Sequence, residues 1–328
     1  MSGRIKVQRK RREGDMMSHE LRWNPVLGQW VVIAPKRHVR PVLSQTCPFC
    51  PGSEEVRGTW TVRSLANRYP AFDESAPPVS EGDELYRKGR AIGRCEVLLE
   101  TAEHDKDLAD LSLENICELV RLYRQRYLEL GKLPWVKYVF IFRNKGEVIG
   151  VTLTHPHGQL YALPFVPPVA AQKLSEAKRY MERTGRCLYC DVADRELDSD
   201  RLVSRNDSFL CFVPFAPRFA YETMILPVDH VASVADFDEK KVADFSSILR
   251  DILSRYNRLF GFSLPYVLCI YNAPTDGSRY PHHHLHVEIM PRHRSRDQIK
   301  YLAGSEVGAG VYINDSVPEE RAAELRRL

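Results

Sequence analysis

"LTHPHGQLYALP", residues 153–164, places two histidines one residue apart across a proline and a glutamine two positions further on. Side chains alternate along an extended chain, so His155, His157 and Gln159 share one face, while Pro156, which lacks an amide hydrogen, disfavours a central sheet position there. The pattern returns as "HLHVEI" (284–289), and other features return with it in the same order. "CPFC" (47–50) is answered by "CLYC" (187–190), "EVLLETAEH" (96–104) by "ETMILPVDH" (222–230), and "YVFIFRN" (138–144) by "YVLCIYN" (266–272). Such a recurrence marks a duplication of the chain.

The segments between these features repeat too. Ile116, Leu119, Val120, Tyr123, Tyr127 and Leu130 fall on one helical stripe that stops at Gly131, and Val242, Phe245, Leu249, Ile252, Leu253 and Tyr256 form another that ends at Gly261. Each half therefore reads as strands, a long amphipathic helix, a strongly apolar strand and a histidine strand. The expected fold is α+β: two tandem halves, each an antiparallel sheet with packed helices. The boundary falls near "LPFVPPVAA" (163–171), where adjacent prolines precede a short helix. This gives a disordered basic leader over 1–20, a first half over 21–166 and a second over 167–328.

Of the 328 residues, 44% are hydrophobic and 27% charged, which is the composition of a soluble globular protein. No apolar run approaches the roughly 20 residues of a membrane span, and no apolar segment follows the basic N-terminus as in a secretory signal. A cytoplasmic location is expected, without membrane association. A formal net charge of only +4 argues against a nucleic-acid partner.

Zinc takes four soft or borderline ligands in a tetrahedron, and a C-x-x-C turn with two distant histidines is one way to supply them. The first half offers Cys47, Cys50, His104 and His155; the second offers Cys187, Cys190, His230 and His284. Only the repeat singles out His284 from the run His282–His283–His284. Two zinc ions per chain are expected, each tying together distant parts of its half. Cys95, Cys117, Cys211 and Cys269 sit in apolar segments and read as core, and His38 and His293, in basic loops, as surface residues.

With His155 assigned to metal, His157 is held beside the ligand without being needed by it. An imidazole so placed is a nucleophile or a general base. Upstream, "FRNKGEVIGVTLT" (142–154) carries Asn144, Gly146, Gly150, Thr152 and Thr154: glycines that allow close backbone approach beside amide and hydroxyl donors. The combination points to phosphoryl chemistry.

"HPHGQ" behind that segment, the duplicated halves, "WNPVLGQWVVIAPKRHVRP" (23–41) and "HHLHVEIMPR" (283–292) resemble the galactose-1-phosphate uridylyltransferase family, a branch of the histidine-triad superfamily, from about residue 20 to the C-terminus. The resemblance implies that His157 attacks the α-phosphorus of UDP-glucose, that a covalent uridylyl-histidine forms, and that galactose 1-phosphate takes the UMP in a ping-pong reaction. It implies that Gln159 contacts the nucleotidyl phosphate, that Arg37 and Arg40 lie near the phosphates and Asn67 near the nucleotide. It also implies that Lys300 and Glu306 reach the sugar phosphate, in a homodimer from the neighbouring subunit. His286 corresponds to His157, but Glu288 replaces the glutamine, and a carboxylate there repels phosphate; the second half is expected to be silent. Some family members hold the second metal with a Glu and three histidines, so Cys187 and Cys190 place this chain in another branch. Iron at that site remains compatible. The same branch contains an ADP-glucose phosphorylase in which serine replaces the proline and glycine of HPHGQ; Pro156 and Gly158 favour the uridylyltransferase.

Overall fold

The computed structural model describes residues 19–39, 47–53, 55–80 and 82–328. Most of the expected leader (1–18) and Arg40 lie outside the described residues, whereas Glu20, placed in the leader from sequence, opens the first strand. The first half runs β1 (Glu20–Asn24), β2 (Gln29–Ile33), β3 (Arg63–Ala66), β4 (Lys88–Arg90), β5 (Arg94–Leu99), α1 (Leu113–Gly131), β6 (Tyr138–Lys145) and β7 (His157–Leu163). The second runs α2 (Pro168–Thr184), α3 (Leu188–Glu196), β8 (Leu202–Arg205), β9 (Phe209–Phe212), β10 (Thr223–Pro227), α4 (Glu239–Phe260), β11 (Tyr266–Tyr271), β12 (His286–Pro291), a ribbon of β13 (His293–Ser295) and β14 (Gln298–Ile299), and α5 (Pro318–Arg326). No described helix is long and apolar enough to cross a membrane.

The two long helices form where the apolar stripes predict them. Ser112 caps α1 by accepting from the Asn115 amide (3.1 Å), Asp238 caps α4 by accepting from the Lys241 amide (2.8 Å), and α4 ends on Gly261 at φ +76°. Every stripe residue named above is buried, and the two helices pack together over one face of a sheet. Burial of each such side chain contributes roughly 1.5–3 kcal/mol, which helps overcome the helix-nucleation cost.

That sheet is one rather than two. Nine antiparallel strands run in the order β3-β5-β7-β6-β11-β12-β10-β9-β8, and the halves join edge to edge through β6 and β11. Phe142 lies opposite Gln159 in β7, Cys269 lies opposite Glu288 in β12, and Phe142 and Cys269 lie opposite each other. The pair is therefore self-equivalent, and a pseudo-twofold passes through it as through an isologous dimer contact.

This register corrects two matches made on sequence. Aligned on their shared Tyr and Asn, "YVFIFRN" and "YVLCIYN" are one residue out of step with the sheet. Tyr138 lies on the face opposite α1 and α4, Tyr266 on the helix face. Likewise Glu96 points to the helix side, where Arg126 of α1 holds it (2.7 Å), whereas Glu222 points to the other side and binds Arg218. A one-residue slip exchanges the faces of a strand, so residue identity loses to the demand for apolar groups under the helices.

Two smaller expectations also change. α2 has 17 residues rather than being short, although only Ala170 and Ala177 are buried in it. His293 is buried, its ring 5.1 Å from that of Phe262, because β13 folds back under the end of α4; His38 is exposed.

Beneath the HPHGQ segment an ionic cluster ties β6 and β11 to the loop that follows β5. Arg143 binds Glu100 (2.8 Å), Asp107 (2.7 Å) and the Tyr266 hydroxyl (2.5 Å), and Lys145 also binds Asp107. The amide of Glu100 donates to the Pro156 carbonyl (3.2 Å), which couples the cluster to the residue between the two histidines. Burial opposes ionisation of Asp107, but the Arg143 and Lys145 charges prevail and hold its carboxyl at about 2. A carboxyl held below its unfolded value stabilises the fold above that unfolded value and loses the contribution as pH falls toward 2. Denaturant titrations between pH 5 and pH 2.5 should therefore show Asp107→Asn less stable at pH 5 by about 2 kcal/mol, the gap from the parent narrowing as pH falls.

Candidate active site and metal centres

The C-x-x-C turns place their thiols against histidines from remote strands. Sγ of Cys50 is 3.4 Å from Nδ1 of His104 and 3.8 Å from Nδ1 of His155. Sγ of Cys190 is 3.4 Å from Nδ1 of His230 and 3.5 Å from Nδ1 of His284, with Cys187 4.0 Å from the latter. In each set the four donor atoms lie within 4.8 Å of one another. A tetrahedral ion with bonds of about 2.3 Å to sulfur and about 2.1 Å to nitrogen needs sulfur–nitrogen edges of about 3.6 Å, so both sets fit one. Nε2 of His155 faces the Thr101 carbonyl (2.8 Å) and Nε2 of His104 faces Thr154 Oγ1 (3.1 Å), which turns Nδ1 of each toward the thiols.

His155 itself precedes the strand; β7 begins at His157, one residue after the proline. Nδ1 of His157 lies 2.7 Å from the His155 carbonyl, an oxygen that can only accept, so Nδ1 carries the proton and Nε2 the lone pair. His155 thus orients the second histidine through its own backbone. The ring of Phe49, inside the first C-x-x-C turn, packs edge-on against His157 at 5.5 Å.

His157 lies between two hollows. One is lined by Pro48, Phe49, Asn67, Val97, Thr152 and Gln159, an apolar slot with amide and hydroxyl groups at its rim. The other carries charged side chains, among them Asp107, Arg143 and Lys145, and also includes His104, Asn144, Gly146, Thr154 and Pro156. The arrangement suits a ligand with a flat apolar end and a charged middle, the middle lying at the imidazole. Thr152 Oγ1 is buried with no hydrogen-bond partner among the described residues, which leaves a donor for such a ligand.

The structure thus gathers Gln159, Asn67 and Thr152 on one side of His157 and Asn144 on the other. Oδ1 of Asn67 accepts from the Tyr69 amide (2.9 Å), so the residue shapes a turn and has its amide NH2 to offer a ligand. Arg37 donates to the carbonyl of Tyr69 (3.1 Å), at the edge of the apolar slot. Gly150 lines neither hollow; with Gly146 it brackets the turn at 147–149, at φ +85° and +91°. Lys300 and Glu306 bind each other (3.0 Å) and line neither hollow, so a single chain does not bring them to His157. Phe49, Val97 and Tyr69 were missed from sequence. Phe49 was visible between the two cysteines, but nothing local distinguished it from a core aromatic.

In the second half the equivalent space is filled. Nδ1 of His286 faces the His284 carbonyl (2.9 Å), as in the first half, but its ring is stacked between Tyr189 (4.5 Å) and Tyr271 (4.8 Å) and is fully buried. Nζ of Lys173, from α2, lies 2.9 Å from Nε2 of His286, and Lys173 and Arg218 (2.7 Å) both bind Glu288. Tyr189 stands where Phe49 stands within its C-x-x-C turn, so the same turn opens a slot in one half and closes it in the other. The sequence showed Glu288; it did not show the two cations that hold it.

Residues 9–167 match the family model "Galactose-1-phosphate uridyl transferase, N-terminal domain", and residues 173–328 match its "C-terminal domain" counterpart. A Thermotoga maritima protein named galactose-1-phosphate uridylyltransferase is 36% identical over 94% of this chain and 98% of its own. An Arabidopsis thaliana ADP-glucose phosphorylase is 27% identical over 95% and 93%. Among solved structures, a uridylyltransferase superposes with a TM-score of 0.88 at 34% identity, covering 94% of this chain and 97% of that one. The Arabidopsis phosphorylase with bound ADP-glucose gives 0.75 at 26% identity, covering 95% and 99%.

Gly146 is where this geometry is most sensitive. A Cβ added there would lie 2.6 Å from Cβ of Pro265 in a backbone conformation that L side chains rarely adopt. Gly146→Ala should lower unfolding stability by about 1–3 kcal/mol in urea titration, and Gly150→Ala, with open space around it, by less.

Proposed function

This chain belongs to the galactose-1-phosphate uridylyltransferase family, and we propose that His157 is the nucleophile through which it works. The enzyme moves UMP from UDP-glucose to galactose 1-phosphate. The observation that carries the residue assignment is the hydrogen bond from Nδ1 of His157 to the carbonyl of His155, which presents the lone pair of Nε2 to the junction of the two hollows.

In the first step Nε2 attacks the α-phosphorus of UDP-glucose. The N–P bond forms, the bond from phosphorus to the bridging oxygen breaks, and glucose 1-phosphate leaves with that electron pair. The positive charge that develops on the imidazole is stabilised by the His155 carbonyl. In the second step a phosphate oxygen of galactose 1-phosphate attacks the same phosphorus, the P–N bond breaks, and UDP-galactose leaves. No net proton transfer is required, so the site needs no separate acid or base. Gln159, on the same face of β7, donates its amide to a non-bridging oxygen as charge builds there. Phe49 and Val97 hold the base, Asn67 the nucleotide side, and Arg37, Asn144 and Thr152 the phosphates, with Arg40 in the same role from outside the described residues.

The Cys47–Cys50–His104–His155 set and its counterpart in the second half would each hold a zinc ion; iron at the second would leave the chemistry unchanged. With four protein ligands such an ion would keep no position for substrate, and its part would be to fix the backbone at His155. The second half is silent because Lys173, Glu288 and the two tyrosines occupy the space a nucleotide would need. Lys300 and Glu306, remote from His157 within one chain, would reach a sugar phosphate across a homodimer.

Incubated with UDP-glucose, the protein should gain the mass of one uridylyl group per chain, and none in His157→Gly; a full adduct in that variant would overturn the nucleophile assignment. Gln159→Ala should keep the adduct site but form UDP-galactose about 10²–10³ times more slowly. Turnover of ADP-glucose with phosphate, without UDP-galactose formation, would instead favour the phosphorylase activity. Elemental analysis should find two metal ions per chain, falling to one in Cys190→Ser.

A further inference from the structure

On the side of the sheet away from His157, a pocket lies between β8 and α4. It is lined by Ser204 and Arg205 from the strand, by Asn206 just after it, and by Ser247, Arg250 and Arg258 from the helix, with Asp251 and Ser254 between them. The helical residues recur every three or four positions and so form one polar stripe along α4. Neither a metal ligand nor any group assigned to the transfer reaction is part of it.

Its charge is lopsided. Arg205, Arg250 and Arg258 make no ion pair among the described residues, whereas neighbouring basic groups do: Arg201 binds Glu196 and Glu319, and Lys240 binds Asp207 and Asp244. Both oxygens of Asp251, the pocket's one carboxylate, accept from Nε of Arg255 (3.0 and 2.9 Å), which removes it as a partner for the other three. The strand is also irregular here. Its register shifts between Leu202 and Ser204, and such a bulge re-aims side chains. Ser204 Oγ is buried and has no hydrogen-bond partner among the described residues. A buried hydroxyl without a partner and three guanidinium groups without an ion pair, lining one concave surface, form a donor set without an acceptor.

We propose that this pocket binds a small phosphate dianion, either inorganic phosphate or the phosphate end of a sugar phosphate. Planar guanidinium forks match phosphate oxygens, and the serine hydroxyls supply further donors. The cations converge on one pocket instead of running along a track, which selects a compact anion over a polyanionic chain. The reaction of this family consumes one sugar 1-phosphate and releases another, so the ligand class is present wherever the enzyme works, although the pocket does not depend on that reaction.

The test is isothermal titration of the intact protein with inorganic phosphate and with glucose 1-phosphate, at ionic strength held constant with chloride. The parent should show a binding event that the double variant Arg250→Ala/Arg258→Ala weakens about tenfold or more and Ser204→Ala weakens to a lesser degree. In both variants uridylylation of His157 by UDP-glucose should be unchanged, which separates this pocket from the reaction site and shows that the variants are folded. In the binding event that the double variant weakens, equal affinity for the two ligands would mean that the pocket reads the phosphate alone, and tighter binding of glucose 1-phosphate in that event would add the sugar; heat that the double variant retains with glucose 1-phosphate belongs to the His157 site. Identical isotherms for parent and double variant, with either ligand, would overturn the proposal.

Discussion

The antiparallel pairing of β6 with β11 is the constraint on which the molecule depends. Because Phe142 and Cys269 are both partners and counterparts, the two halves share one sheet and one helix-covered face, and neither half can shift register without moving the other. The apolar residues of both strands must lie under α1 and α4, which sends the alternate residues to the opposite face. From that follow the positions of Phe142 beside Gln159 and of Tyr271 beside His286. Both histidine strands are therefore aimed in equivalent directions before any ligand is considered.

On that scaffold the difference between the halves is made by side chains brought in from elsewhere. Phe49 meets His157 edge-on and leaves a slot; Tyr189 stacks flat on His286 and closes one. Lys173 and Arg218 come from α2 and the loop before β10 to neutralise Glu288. A buried carboxylate without those cations would be costly, so Glu288 and its two partners form one unit. In the first half Gln159 is neutral and needs no such partners, which leaves the hollow beside it open.

The ionic cluster of Arg143, Glu100, Asp107 and Lys145 performs a related task on the other side of the sheet. Its link through the Glu100 amide to the Pro156 carbonyl, together with the hydrogen bonds of His155 to Thr101 and of His157 to the His155 carbonyl, fixes a segment that proline keeps out of regular pairing. The chain from the His155 ring to its carbonyl to the His157 imidazole is short and largely buried, so the second ring is held in place before any ligand binds.

The sequence by itself determined the two helices, the duplicated order of elements, the two donor sets and the His157–Gln159 pair. Each of these rests on short spacings or on repetition, which survive without coordinates. What it could not decide was register: shared Tyr and Asn residues suggested one alignment of β6 with β11, and the demand to bury apolar faces imposed another, one residue away. Nor could it show that the half-sheets merge, that His293 is buried, or that Lys173 and Arg218 fill the second site, because those contacts join residues some 30 to 130 positions apart. Lys300 and Glu306, which the resemblance brings to the site from a neighbouring subunit, bind each other within one chain and line neither hollow at His157; only packing in three dimensions decides which distant groups meet.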